Sequence, residues 1–147
     1  GLTMRFPLFI DLSGRAAVVV GGGAVGLRRA GALARFGARV TVISPAVRDV
    51  PEGVAYVRRG YQEGDLKGAF LAVGATDCRT VNHAVFLEAK RRGVAVNVCD
   101  CPEECDFFFP ALCETGSVVA GVAGDGGDHQ KTARAAAIIR RAWEEEL

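Results

Sequence analysis

The sequence predicts an α/β fold in which a doubly wound parallel sheet is followed by a β-hairpin and a C-terminal helix. Three observations carry the prediction. Between residues 16 and 98, short runs rich in β-branched residues alternate with Ala- and Leu-rich stretches of helical length, as strand–helix–strand units of a parallel sheet do. The first strand–helix junction is a block of glycines, Gly21, Gly22 and Gly23. After residue 106 the alternation stops, and two apolar runs around a Gly-containing turn lead into a last helical stretch.

Residues 16–20 (AAVVV) contain no polar position, as a strand covered on both faces requires. Residues 24–35 favour a helix, and Gly37 supplies its stop. Residues 39–43 form the second strand, ended by Ser44-Pro45, and residues 54–57 the third. The fourth covers residues 69–73 and runs into Gly74-Ala75-Thr76-Asp77. A helix is predicted over 80–91, where Val81, Val85 and Ala89 recur at one-turn spacing before Gly93. Residues 94–98 form the fifth strand. Residues 107–111 and 118–122 are the hairpin strands, flanking Glu114-Thr115-Gly116-Ser117, and residues 133–143 form the last helix.

The chain has 147 residues, 50% hydrophobic and 24% charged, with a net charge of +1. That is one domain's worth of sequence, or a domain plus an appendage, able to bury a core. The balanced charge and the absence of a basic run give no footprint for nucleic acid. Gly1 to Thr3 read as residues added ahead of a natural start at Met4. The N-terminus lacks the pattern of a signal peptide, and no apolar run reaches membrane-spanning length. A cytoplasmic location is therefore expected.

The glycine block belongs to Gly21-Gly22-Gly23-Ala24-Val25-Gly26, which fits G-x-G-x-x-G between a predicted strand and a predicted helix. The first glycine permits the tight turn, the second lets backbone approach a pyrophosphate, and the third lets helix and strand pack closely. N–H groups at the helix N-terminus then hold the phosphates. A Rossmann-like dinucleotide site follows. The acid expected at the end of the second strand, for the ribose hydroxyls, is replaced by Ser44, while Arg48 lies four residues on. The motif does not choose between NAD and NADP.

A second cluster follows the fifth strand: Asn97-Val98-Cys99-Asp100-Cys101-Pro102, then Cys105-Asp106-Phe107-Phe108-Phe109-Pro110. The C-terminal strand ends of an open parallel sheet line the ligand crevice. Asp100 there can act as a base or merely cap the loop, and its residue type alone leaves both open. Cys99, Cys101, Cys105 and Cys113 do not match a paired C-x2-C zinc site. Strand alternation puts Cys99 and Cys101 on the face opposite Asp100. They read as buried, inert thiols, with no resident metal.

Taken together, FPLFIDLSGRAAVVVGGGAVGLRRA, GATD, NVCD and CDFFFPA resemble the precorrin-2 dehydrogenase and sirohydrochlorin ferrochelatase family, the N-terminal module of siroheme synthase. The resemblance spans residues 6–141. It implies an NAD-binding domain over residues 1–112 and, over 113–147, the start of the family's middle, dimer-building region, cut short. It implies an enzyme that uses NAD to remove two hydrogens from precorrin-2, a tetrapyrrole, giving sirohydrochlorin. The aspartate of N-V-x-D, the family's general acid/base, falls on Asp100. Cofactor contacts fall on Gly21, Gly22, Gly23, Ala24, Val25 and Gly26, on Ser44, Pro45 and Ala46, and on Ala75, Thr76 and Asp77. A substrate with eight carboxylates needs cations, for which Arg28, Arg29, Lys131 and Arg134 are candidates, with Asn97 beside the acid. A homodimer is implied, and Fe(II) enters only as a substrate metal for members that chelate.

The sequence departs from the family before the last helix. A serine-rich segment is replaced by Gly124-Asp125-Gly126-Gly127-Asp128-His129-Gln130, so Asp125 puts a fixed charge where some fused relatives carry a phosphorylatable serine. His129 reads as a surface residue, with a metal or proton role as the alternative. Two other functions stay open: a bifunctional enzyme that also inserts Fe(II), and a non-catalytic domain that senses NAD.

Overall fold

A computed structural model describes residues 3–147; of the three residues ahead of Met4, Gly1 and Leu2 lie outside the described residues. The chain divides into two compact units, Asp11–Phe107 and a second made of Phe108–Leu147 with the described residues up to Ile10.

In the larger unit, β1 (Ala16–Val20), β2 (Arg39–Ser44), β3 (Val54–Arg58), β4 (Leu71–Gly74) and β5 (Ala95–Val98) form one sheet in the order β3-β2-β1-β4-β5. Every neighbouring pair is parallel. Such a sheet is covered on both faces, and Val19, Val42, Val73 and Val96 are fully buried. Helix α1 (Ala24–Arg35) links β1 to β2, and α2 (Arg79–Arg92) links β4 to β5. Val85 and Ala89 of α2 join Val20, Leu66, Ala72 and Val96 in one core cluster. Val85, with no exposed surface, contributes about 1.5–3 kcal/mol by burial. Gly93 ends α2 in the left-handed region at φ 70°, where glycine carries no Cβ penalty.

These are the strands and helices the sequence predicts, with ends moved by one or two residues. β4 starts later than expected because Ala69 closes the preceding turn, its N–H donating to the Leu66 carbonyl at 3.0 Å. Because β1 lies between β2 and β4, the strand order reverses there. The crevice beyond the C-terminal strand ends at such a point is where open α/β sheets bind ligands.

Glu88 of α2 is buried, and it organises the helix-free link from β3 to β4. Its carboxylate accepts from the Tyr61 hydroxyl, from the N–H of Gly64 and Leu66 at 3.1 Å each, and from Arg92 Nε at 2.7 Å. Burial alone would raise its pKa; the bonds from Tyr61, Arg92 and the two N–H groups outweigh burial and hold it below the ordinary value. Burial, and then the same carboxylate, push the Tyr61 hydroxyl up.

β5 lies at the edge of the sheet, and its outer backbone groups are taken up by the loop that follows. Val96 N–H donates to Asp106 Oδ2 at 3.1 Å, and Asp106 N–H donates to the Val96 carbonyl at 2.8 Å. Val98 N–H donates to Cys105 Sγ at 3.1 Å, and the Cys105 thiol donates to the Val98 carbonyl at 3.2 Å. A single 3-10 turn, Pro102–Glu104, sits between these anchors and Asp100.

In the smaller unit, β6 (Ala111–Thr115) and β7 (Val118–Val122) form an antiparallel hairpin pairing Thr115 with Val118. The turn is therefore Gly116-Ser117, with Gly116 at φ 54°, suited to glycine in the first position of a tight hairpin turn. This corrects the predicted first strand of 107–111. Residues 107–110 stay outside the ladder: Pro110 has no N–H to donate, and the two-residue turn pulls Glu114 and Thr115 into strand. Helix α3 is His129–Glu146, four residues earlier than expected, because the Asp128 side chain accepts from Lys131 N–H at 2.9 Å and caps it. Helix and hairpin meet at Cys113 and Ala136, both fully buried, and Arg140 donates to the Leu112 carbonyl at 2.8 Å. Arg5 donates to the Gly124 carbonyl at 3.2 Å and lies over the Phe108 ring.

Candidate functional site

The predicted glycine loop joins β1 to α1 at the point where the strand order reverses. Gly21 has φ 126°, and a Cβ there would stand 2.2 Å from the Ala75 carbonyl oxygen. A Cβ on Gly22 would meet the Ala46 carbonyl at 2.3 Å and Ser44 Oγ at 2.7 Å, and one on Gly26 would meet the Gly21 carbonyl at 2.5 Å. These three are glycines because backbone fills the space where a side chain would start. Gly23 differs: a Cβ there would meet nothing within 4 Å. It is also the N-cap of α1, with no side-chain cap and no acid in the first turn. The N–H groups of Ala24, Val25 and Gly26 are first-turn donors without intrahelical acceptors, at the positive end of the helix dipole. The arrangement fits a pyrophosphate at Gly23.

Two backbone segments flank this loop. Ser44 is buried; its hydroxyl donates to the Ala46 carbonyl at 2.8 Å, and its carbonyl accepts from the Tyr56 hydroxyl at 2.9 Å. Pro45 and Ala46 are exposed beyond it. On the other side, Ala75 is buried, with its N–H on the Val20 carbonyl at 2.8 Å, and Asp77 is exposed. Thr76 is locked by Asn82: its N–H and hydroxyl donate to Asn82 Oδ1 at 3.0 and 2.6 Å, and Asn82 Nδ2 donates back to the Thr76 carbonyl at 2.9 Å. Sequence reasoning missed Asn82. The signal was present, a polar residue on the apolar stripe that it shares with Val85 and Ala89.

Asp100 lies in the turn after β5, so the alternation used to place Cys99 and Cys101 opposite it does not apply, the strand having ended at Val98. Arg79, the first residue of α2, donates from Nη1 to Asp100 Oδ1 at 3.0 Å and from Nη2 to Glu104 Oε1. The other oxygen of Glu104 bonds His83 Nδ1 at 2.5 Å. Burial would raise the Glu104 pKa, but His83 and Arg79 together hold it below the ordinary value. The sequence reading named none of these three partners, whose spacing from Asp100 carries no motif.

Asn97 is buried. Its Nδ2 donates to the Phe107 carbonyl at 3.0 Å, and its Oδ1 accepts from Arg29 Nη1 at 2.5 Å. Arg29 is half-buried, and burial pulls its guanidinium below the ordinary value. Arg28, beside it on α1, is exposed. Lys131 and Arg134 are exposed on α3 of the smaller unit, as is His129 at its first turn. Asp125 Oδ1 accepts from Gly127 N–H at 2.9 Å.

The expected set of buried thiols is corrected. Cys113 is buried, Cys101 and Cys105 are partly buried, and Cys99 is exposed, because Cys99 follows the strand rather than belonging to it. Burial, then the Asp100 charge, raise the Cys99 pKa. Among the described residues, no cluster of three His, Cys, Asp or Glu side chains is placed to hold a metal ion. No helix among them is long and apolar enough to cross a membrane.

Comparison with known proteins places these features in context. The family model described as "Putative NAD(P)-binding" matches residues 8–111. A "Probable multifunctional siroheme biosynthesis protein HemA" of Ruminiclostridium josui is 40% identical over 139 residues, covering 90% of this chain and 27% of that protein. A siroheme synthase of Pseudomonas aeruginosa (strain LESB58) is 41% identical over 143 residues, covering 93% of this chain and 30% of the relative. The chain thus spans less than a third of the length of these curated relatives. Among solved structures, "SirC, precorrin-2 dehydrogenase" superposes with a TM-score of 0.76 at 26% identity, over 97% of this chain and 71% of that one.

Proposed function

We propose, from the premise that this chain belongs to the NAD(P)-binding family, that it is an NAD-dependent dehydrogenase converting precorrin-2 to sirohydrochlorin in siroheme biosynthesis, with Asp100 as general acid/base. The observation that carries this reading is that the glycine loop after β1 and Asp100 after β5 open on the same C-terminal edge of one parallel sheet, with only β4 between them. Two inter-strand spacings amount to about 10 Å, a separation that a dinucleotide's nicotinamide end can bridge.

Gly21, Gly22, Gly23 and Gly26, with the N–H groups of Ala24 and Val25, would hold the pyrophosphate; Ser44, Pro45 and Ala46 would flank the adenosine, and Ala75, Thr76 and Asp77 the nicotinamide side. Bound NAD supplies a hydride acceptor. Dehydrogenation removes a hydride and a proton from the tetrapyrrole, and Asp100 takes the proton. Arg28 and Arg29, with Lys131 and Arg134, are each proposed as contacts for substrate carboxylates, to which arginine is suited by its paired donors. Asn97 enters through Arg29, whose guanidinium it orients.

A homodimer is part of the proposal. It is supported by apolar side chains left open in the smaller unit, among them Phe6, Leu8 and Phe9, all more than 70% exposed, and Ile138 at 60%. The five free cysteines suit a reducing cytoplasm. Fe(II) is treated as a second substrate.

Purified protein mixed with precorrin-2 and NAD is expected to form NADH, and Asp100→Asn to abolish it, with oligomeric state measured in parallel. A repeat with Fe(II) tests chelation. NAD binding with no tetrapyrrole-dependent NADH, or full activity of Asp100→Asn in a dimeric protein, would sink the assignment in favour of a sensor.

A further inference from the structure

We propose that Arg79 is the positioning residue for Asp100, and that Glu104, itself braced by His83, fixes the Arg79 guanidinium. This rests on the reading of Asp100 as the general acid/base.

The geometry argues for it in three steps. Asp100 sits in an exposed turn after β5 rather than in the ladder, so its backbone leaves the carboxylate free to rotate. Among the described residues, Arg79 is the side chain that bonds it, at 3.0 Å. The second arm of the guanidinium is on Glu104. A planar fork held by two carboxylates has its orientation set, so the direction of the Asp100 carboxylate is set with it.

Glu104 is the anchored member of the set. Its side chain is 12% exposed, against 45% for Arg79 and 36% for Asp100. It stands on the 3-10 turn whose following residues, Cys105 and Asp106, are pinned to the edge of β5. His83, one turn further along α2 than Arg79, closes on its other oxygen at 2.5 Å. The brace thus ties the start of α2 to the loop that presents Asp100.

The placement of Arg79 is locally unfavourable. A cation in the first turn of a helix opposes the macrodipole, and α2 has no acid in that turn to offset it. The acids that offset it come from the loop after β5, as Asp100 and Glu104. Both arms of Arg79 are occupied by protein carboxylates, which separates it from the substrate contacts proposed on α1.

The test uses the full chain, with precorrin-2 and NAD as substrates, and compares Arg79→Gln, Arg79→Lys, Glu104→Gln, Asp100→Asn and the double variant Arg79→Gln/Glu104→Gln. Arg79→Gln is expected to lower kcat by about 10- to 100-fold, the cost of a misplaced reacting group, with KM unchanged and with NAD affinity and unfolding midpoint as in wild type. Arg79→Lys should recover part of the loss, because an ammonium can serve one carboxylate but not both. The double variant should be no slower than Arg79→Gln, since Glu104 acts through Arg79.

Wild-type kcat in Arg79→Gln alongside an inactive Asp100→Asn would overturn the proposal. So would a raised KM at unchanged kcat, which would make Arg79 a substrate contact, or additive losses in the double variant. An inactive wild type, or a fully active Asp100→Asn, would overturn the underlying reading of Asp100 instead. If Arg79→Gln fails to fold, Glu104→Gln carries the test, with a wild-type kcat as the outcome against the proposal.

Discussion

Replacing Gly23 by Ala should separate the cofactor site from the fold. Gly23 has φ −81° and ψ −174°, an extended conformation that any residue adopts, and its added methyl would meet no protein atom within 4 Å. The folding cost is then that of alanine in place of glycine at an N-cap, under about 1 kcal/mol. On the ligand side the methyl occupies the approach to the first-turn N–H groups. Losing one hydrogen bond to a charged phosphate costs about 1.5–3 kcal/mol, which weakens NAD binding about 10- to 150-fold. Calorimetric titration with NAD, run beside urea unfolding of the same samples, measures both quantities. Unchanged NAD affinity, or a stability loss above about 2 kcal/mol, would refute the assignment of Gly23 as the residue that lets the pyrophosphate in. Gly21→Ala is the contrasting control. It forces a β-carbon to 2.2 Å from the Ala75 carbonyl at φ 126°, so it should lose stability before any question of binding arises.

Glu88→Ala strands the N–H groups of Gly64 and Leu66, leaves Tyr61 only the long bond to Glu63 and unpairs Arg92; removing one partner from such a buried network costs about 3–5 kcal/mol, and a loss under about 1 kcal/mol in urea would contradict the clamp. Because the folded Glu88 carboxyl titrates below its ordinary value of 4.5, its contribution is fully present above about pH 4.5 and is lost as pH falls through the folded value. Acid unfolding of wild type should accordingly be steeper below that point than acid unfolding of Glu88→Gln. Asn82→Ala leaves the Thr76 N–H without its acceptor, while the hydroxyl keeps the Cys78 carbonyl at 3.1 Å; a loss of about 1–3 kcal/mol is expected, and NAD affinity should fall with it. Asp128→Ala removes the cap of α3 and should cost about 1 kcal/mol, read as earlier fraying in amide exchange of residues 129–132.

What the sequence made legible was local. The glycine loop could be read because its spacing between a strand and a helix is short and fixed, with Gly21, Gly22 and Gly26 lacking room for a Cβ and Gly23 left open, and the strand runs could be read because a parallel sheet leaves no polar face. Asp100 was singled out by its position at a strand end and by a resemblance spread over several motifs. Arg79 and Glu104 were not, because their pairing spans 25 residues and depends on how α2 and the loop after β5 meet. Glu88 carries no local signal of burial; only the link from β3 to β4 folding back over it makes it a core residue. The hairpin slipped by four residues because three phenylalanines outweigh Cys-Glu-Thr on any hydrophobic count. Turn geometry decided the register instead. The last helix was placed late because His129, Gln130 and Lys131 carry no apolar periodicity, while the side chain of Asp128 is enough to start it.

The edge of β5 has a consequence for how the protein keeps company with copies of itself. An open strand of four residues, Ala95–Val98, is a template on which another chain can align, and natural sheets guard such edges. Here the guard is a thiol, a carboxylate and one peptide group, supplied by Cys105 and Asp106 in place of a sixth strand. The loop that carries Asp100 is therefore also the sheet's selvedge. Oxidation of Cys105 to a sulfinic acid would replace the thiol that both gives to and takes from Val98, and the edge would fray at the strand end nearest Asp100. In this fold, the cover of an open sheet edge and the anchoring of the loop that carries Asp100 rest on the same sulfur atom.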